Sequence, residues 1–340
     1  MRNVEEVKRY ILEKFGENPI LLIGCRNSKW QWPVCGYDFM IFTSNIRGYD
    51  SRKMGENIVN LFYVSFDNLE DRKSYSIWQK LISGSIINDP NLLLTRFREE
   101  ALKKSKEIFL ELYNEHVLSL TKYLAYCEES YEHEAYASTA YWITCIGYEA
   151  VRALNLLNKT DTSPSHLIQQ VKDNPLLREP TYFVDITNFL GLEFASQTSY
   201  KRIFSTLDII RKFSEMYKFI QLPPTEGYKI TYLISETKVE EMFKKCEHAL
   251  KEHMQLNAHI IATTWFIETV SELYQTICMA ENVPQYKPKI IEELESRRKK
   301  LIGEGASIKN SILHEINPYT LKKNIEGARK LAFWLRRTWS

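Results

Sequence analysis

Ile20-Leu21-Leu22-Ile23-Gly24-Cys25 and Gly36-Tyr37-Asp38-Phe39-Met40-Ile41-Phe42 decide how this chain is read. Each is a short apolar run bounded by turn residues, the pattern of a buried strand. The first run ends in a glycine turn, and a loop holding Trp30, Trp32 and Pro33 leads to the second. The second carries one carboxylate, Asp38, near its start. The pair is expected as adjacent strands of one sheet, with any site at the end where Gly24 meets Asp38. Upstream, Val4, Val7, Ile11 and Leu12 fall on one side of a helix over residues 4–15, stopped by Gly16.

Working outward, the polar segment 43–57 reads as a loop or short helix, and 58–66 as a third strand. A short helix is expected over 76–83, and Pro90 fixes a turn after Ile86-Ile87-Asn88-Asp89. This order of elements resembles the signature of the polymerase-β-like nucleotidyltransferases, in particular the kanamycin-nucleotidyltransferase-like branch. That signature is a strand, a Gly-Ser or Gly-Gly turn, a connecting loop, then a strand reading Asp-apolar-Asp/Glu-apolar. Here the turn is Gly24-Cys25 and the strand reads Asp38-Phe39-Met40-Ile41. Cys25 stands where the family has Ser, and Met40 where the second carboxylate belongs. The apolar pair followed by Asp89-Pro90 is similar to the end of such a domain, so the resemblance covers about residues 1–100.

The resemblance implies a nucleoside triphosphate held at backbone N–H groups of Gly24 and Cys25, and Asp38 as a ligand of Mg²⁺. Glycine lets the backbone approach phosphate closely. Carboxylates at alternate strand positions share a face, and with a third they hold metal ions for in-line phosphoryl transfer. A methionine does not ligate a hard cation. For the third ligand the sequence offers only Asn60, which carries no charge, and Asp67 at the end of the apolar run. The expectation is a degenerate nucleotidyltransferase-like protein that binds a nucleotide or nucleic acid, with weak or absent metal-dependent transfer.

With 340 residues the chain has room for two or more domains. Its 44% hydrophobic and 26% charged residues place it among globular proteins, and a net charge of +2 gives no global pull toward polyanions or membranes. Six cysteines follow no CxxC or zinc spacing, which reads as reduced thiols in a cytoplasmic protein. No stretch has the length of a membrane span or the apolar core of a signal peptide.

From Thr95 the period becomes helical, with two antiparallel helices expected around an acidic connection at 128–134. Thr160–Pro164 reads as a cap region after the second of them, followed by helical stretches at 183–194 and 203–219. Residues 221–229, with the Pro223-Pro224 break, read as a linker. Helices are then expected over 239–255, 260–280, 290–301, 307–316 and 318–339. The fold class is α+β: a small mixed-sheet domain over 1–94, then all-α bundles over 95–222 and 230–340.

Lys309-Asn310-Ser311-Ile312-Leu313-His314 resembles the Arg-Asn-x-x-x-His motif of the HEPN family of helical domains, with Lys309 in place of Arg. The layout of long helices around it matches over about 235–340. That resemblance implies metal-independent RNA cleavage, His314 acting as base or acid at a 2′-OH and Lys309 stabilising the phosphorane, with Asn310 completing the motif. It also implies a homodimer through the helical bundles. A third class is a non-enzymatic, antitoxin-like assembly partner. His248, His253 and His259 lack the i, i+4 spacing of a helical metal pair. Arg297–Lys300 with Lys322, Lys323, Arg329, Arg336 and Arg337 offer a basic face for RNA, or a solvated one favoured by helix C-termini. Trp30, Trp32, Trp334 and Trp339 offer rings for stacking on bases, or for a core.

Overall fold

The computed structural model describes residues 2–44, 48–70, 74–159, 164–172, 180–218 and 224–338. Most of the expected cap region at 160–164, Pro223 of the double-proline break, and Trp339 lie outside them. Five strands run in order as β1 (Ile20–Ile23), β2 (Tyr37–Thr43), β3 (Gly48–Met54), β4 (Asn57–Ser65) and β5 (Ser85–Asn88). The helices are α1 (Arg2–Phe15), α2 (Asp67–Glu70), α3 (Tyr75–Ser83), α4 (Leu93–Lys103), α5 (Ser105–Glu132), α6 (Tyr136–Leu157), α7 (Leu167–Lys172) and α8 (Pro180–Phe189). They continue as α9 (Ser199–Phe204), α10 (Leu207–Met216), α11 (Pro224–Leu233), α12 (Glu236–Lys251), α13 (Gln255–Glu281), α14 (Ile290–Ile302) and α15 (Pro318–Thr338).

The chain makes two compact units, residues 1–112 with 223–245, and 113–222 with 246–340. In the first, the sheet has the order β3-β4-β2-β1-β5. The two decisive runs are neighbours as expected: β1 and β2 pair antiparallel, with Ile23 opposite Asp38. β4 lies parallel to β2 on its other side, with Asn60 opposite Asp38. Period-two alternation splits these strands between two cores. Leu22, Phe39, Ile41 and Leu61 pack with Val7 and Ile11 of α1. Leu21, Ile23, Met40 and Phe42 pack with Leu69, Leu81 and Leu94 of α2, α3 and α4. Asp38 shares the face of Met40, at the end of the strand.

The segment 43–57 holds a strand, β3, rather than only a loop or helix. β3 pairs antiparallel with β4 through the two-residue turn Gly55-Glu56, where Gly55 has φ +59°. Its sequence, Gly-Tyr-Asp-Ser-Arg-Lys-Met, lacks apolar alternation because it is an edge strand, where charge is favoured over burial. Two further expectations are corrected. Most of the supposed linker 221–229 is helical, with Pro224 at the first position of α11, a place that suits proline. Residues 307–316 form only the single turn Ile308–Ser311, after which Ile312 is extended. Residues 230–245, which the linear reading placed in the C-terminal bundle, fall in the first unit.

In the second unit α6 is buried nearly all round, from Ala137 to Leu156. A helix without a polar face is a core helix. Its threonines Thr139 and Thr144 return their hydroxyls to the carbonyls one turn back, those of Ala135 and Ala140, each at 3.0 Å. α13 is buried along most of its length as well. No helix of the described residues is long and apolar enough to cross a membrane.

Candidate functional site

Gly24 and Asp38 meet as the sequence predicts. Gly24 ends β1 at φ +74°, a left-handed conformation that glycine tolerates. A Cβ there would lie 2.2 Å from Asp38 Oδ2, so only glycine fits between the turn and the carboxylate. Cys25 is buried at the start of the single turn Cys25–Asn27 that follows. Its sulfur lies within 4.8 Å of that of Cys35. The hydrogen bond from Cys25, with Lys245 and Arg26 nearby, draws the Cys35 thiol down to about 7 against the effect of burial. Arg26 is spent locally: its Nε donates to the Cys35 carbonyl at 2.8 Å and its second nitrogen to the Pro33 carbonyl at 2.6 Å.

Met40 and Asn60 occupy the positions where the resemblance asks for acids. Met40 is 7% exposed and packs in the apolar core. Asn60 is fully buried and works as a bridge. Its Nδ2 donates to Asp38 Oδ1 at 2.7 Å and to Glu241 Oε2 at 3.0 Å. Its Oδ1 accepts from Ser51 Oγ at 2.8 Å, which fixes the amide with both protons toward the carboxylates. Asp67 instead accepts from Ser65 Oγ at 3.1 Å at the start of α2.

The second carboxylate of the cluster is Glu241, on α12, and the strand pattern gave no sign of it. Glu241 is fully buried. Lys238 Nζ lies 2.8 Å from its Oε2, and Lys245 Nζ 2.5 Å from its Oε1. The Gly36 N–H also donates to Oε1, at 3.3 Å, and a Cβ on Gly36 would fall 2.7 Å from that oxygen. Lys238, Glu241 and Lys245 are spaced i, i+3, i+7, one face of a helix. This was the available signal: charges occupy the stripe that helical period assigns to the core.

Two carboxylates and two ammonium groups thus balance within one cluster. Burial by itself would raise the Glu241 carboxyl, but Lys238 and Lys245 outweigh it and hold it far below the usual carboxylate range. Burial would lower both lysines, and Glu241 reverses this, so both stay charged. Asp38 is pushed up by burial and by the Glu241 charge, with the lysines and Asn60 opposing. Lys238 also sits over the Tyr232 ring, 5.4 Å from its centroid, and Tyr232 stacks on Tyr49 of β3. The arrangement can neutralise Asp38 without a divalent cation.

The second candidate site is less assembled. Lys309 and Asn310 lie in the single turn Ile308–Ser311, where the Lys309 N–H donates to Ser307 Oγ at 3.2 Å. The Asn310 carbonyl accepts from Arg202. His314 is half-buried, and its Nε2 lies 3.0 Å from the Phe189 carbonyl. Burial, with His259 adding repulsion, pushes its pKa down to about 4. Among the described residues no hydrogen bond joins His314 to Lys309 or Asn310. None of the six cysteines is joined in a disulfide. The chain matches no known protein-family model, and no curated protein is similar to it in sequence.

Proposed function

We propose that this protein is a nucleotidyltransferase-like scaffold that binds a nucleotide or nucleic acid and has given up metal-dependent transfer. One observation carries the reading: Lys238 and Lys245 supply fixed positive charge beside Asp38 and Glu241, through the bridge at Asn60. An enzyme of this kind needs an acid-lined pocket with net negative charge to attract Mg²⁺. Here the acids are internally neutralised, Met40 is a core side chain, and Asn60 spends its amide on hydrogen bonds. The order of α1, β1, the Gly24 turn and β2 supports the scaffold, and β4 parallel to β2 extends it. Six buried thiols outside any disulfide support a cytoplasmic protein.

The HEPN-type ribonuclease reading draws less support. The backbone carbonyl of Phe189 takes the His314 Nε2–H, which leaves only Nδ1 for acid–base work. The test uses the full chain and a fluorescent ATP analogue, with and without EDTA. Binding that is insensitive to EDTA, together with no Mg²⁺-dependent incorporation of labelled nucleotide, is expected. Incorporation that Asp38→Ala abolishes would overturn the loss of transfer. Absence of binding to any nucleotide, RNA or DNA would overturn the reading as a whole.

A further inference from the structure

His259 and His314 stand on the wall of one small cavity inside the second unit, about 20 Å³ in volume and lined also by Tyr141, Thr144, Thr263 and Ser311. That space admits a single water-sized species. The two imidazoles are held in the same way. His259 Nε2 lies 3.0 Å from the Leu190 carbonyl, and His314 Nε2 lies 3.0 Å from the Phe189 carbonyl. These are consecutive carbonyls at the C-terminal end of α8, where a helix leaves such groups without backbone partners. Each Nε2 therefore carries the proton, and each Nδ1 presents a lone pair.

Those lone pairs are not used within the protein. His259 is 1% exposed, and its Nδ1 has no hydrogen-bond partner. Thr263 Oγ1, one turn further along α13, is likewise buried without a partner. Among the described residues no hydrogen bond reaches His314 Nδ1. Leaving buried polar atoms unmatched is unfavourable, so the cavity asks for an occupant. Donation of the far ring N–H to a backbone carbonyl is the device that orients histidines as metal ligands and raises their basicity. Imidazole nitrogens suit zinc, copper and nickel. The negative end of the α8 dipole, on which both rings hang, favours a cation at the same place.

We propose that His259 and His314 hold one divalent transition-metal ion of the zinc class through their Nδ1 atoms, with Thr263 Oγ1 as a further ligand. The site does not depend on the nucleotide reading of the first unit. It also gives His314 a role other than RNA cleavage.

The test is metal uptake by the full chain after chelator treatment and exchange into metal-free buffer. Titration with Co²⁺, followed by visible absorption, and with Zn²⁺, followed by calorimetry, is expected to show saturation at a single equivalent. His259→Ala and His314→Ala should each weaken uptake by more than about tenfold. His133→Ala, at an exposed histidine, should leave it unchanged. Unsaturable uptake, or uptake unaltered in both cavity variants, would overturn the proposal and leave a single water as the occupant. Should either variant fail to fold, the wild-type chain decides by carbethoxylation. Zn²⁺ is expected to protect His314 from diethyl pyrocarbonate, and full modification at saturating Zn²⁺ would overturn the site.

Discussion

The two units bury polar side chains by opposite means. In the first, the Asp38–Asn60–Glu241 cluster is held by opposite charges, with Lys238 and Lys245 clamping Glu241 at 2.8 and 2.5 Å. In the second, His259 and His314 are kept uncharged by burial and held in place by one backbone carbonyl each. A paired cluster withstands pH change but not the loss of a partner, because each remaining charge is then stranded in a low-dielectric setting. A neutral ring tolerates truncation better but fails when it must take up a proton. The difference separates a cluster whose charges are paired from a cavity where a buried ring nitrogen has no partner.

The sharpest way to break the contrast is Glu241→Ala. It strands Lys238 and Lys245, which are 14% and 6% exposed in their side chains. A loss of about 3–5 kcal/mol in urea unfolding is expected. Replacing Lys238, Glu241 and Lys245 together by Met, Leu and Met should recover much of that loss, since a buried ionic group exchanged for apolar residues is often near neutral. A single variant of wild-type stability would show that charge pairing does not hold the cluster.

Next in size is Gly24→Ala, which tests whether the turn was shaped around Asp38. The new methyl would stand 2.2 Å from Asp38 Oδ2 on a backbone at φ +74°. Overpacking and the left-handed conformation together should cost about 2–4 kcal/mol. Asp38→Ala in the same background should restore part of this loss, because it removes the oxygen in the way. No recovery in the double variant would mean that backbone strain alone sets the cost.

How far the sequence foretold these two places follows from what each is made of. β1, β2 and β4 were legible because their side chains are apolar and the flanking turns are marked by glycine. The meeting of Gly24 and Asp38 followed from the pairing of those strands. β3 was not legible, since an edge strand built from Tyr49, Asp50, Arg52 and Lys53 draws its stability from its ladder with β4. Glu241 was hidden for a different reason. It enters the cluster from 181 residues beyond Asn60, and no local pattern specifies so distant a partner. Its trace was a charged stripe where α12 should have been apolar. His259 was set aside for lack of a helical partner, because its companion, His314, comes from a segment with no regular period.

Acid separates the two units by a smaller amount. The folded pKa of His314, about 4, lies below its ordinary 6.5. The stability it lends is therefore full above 6.5 and drains away as pH falls toward 4. Allowing for its partial exposure, about 1–2 kcal/mol should be lost in that window. Glu241 is depressed from 4.5, so its contribution is full well above 4.5 and begins to drain only as pH falls toward that value. Thermal scans from pH 7 to about 5 should show a slope that His314→Gln flattens, whereas Glu241→Gln should leave the slope in that window unchanged. A slope unaltered by His314→Gln would assign the acid sensitivity to other groups.

The smallest effect isolates burial as the variable, because it concerns the neighbouring residue. Glu240 pairs with Lys53 at 2.8 Å and with Lys244 at 2.8 Å, so its ion pairs nearly match those of Glu241 in length and number, although Glu241 also accepts from Asn60 and Gly36. Its side chain is 35% exposed where that of Glu241 is fully buried. In solvent the charges are screened, and the freed lysines return to water when the acid is removed. Glu240→Ala should therefore cost less than about 1 kcal/mol, and raising salt to 1 M should erase most of the difference from wild type. The effect of Glu241→Ala should persist in the same salt. Equal losses at the two positions would mean that water reaches the cluster, and Asp38 would then be open to Mg²⁺ after all.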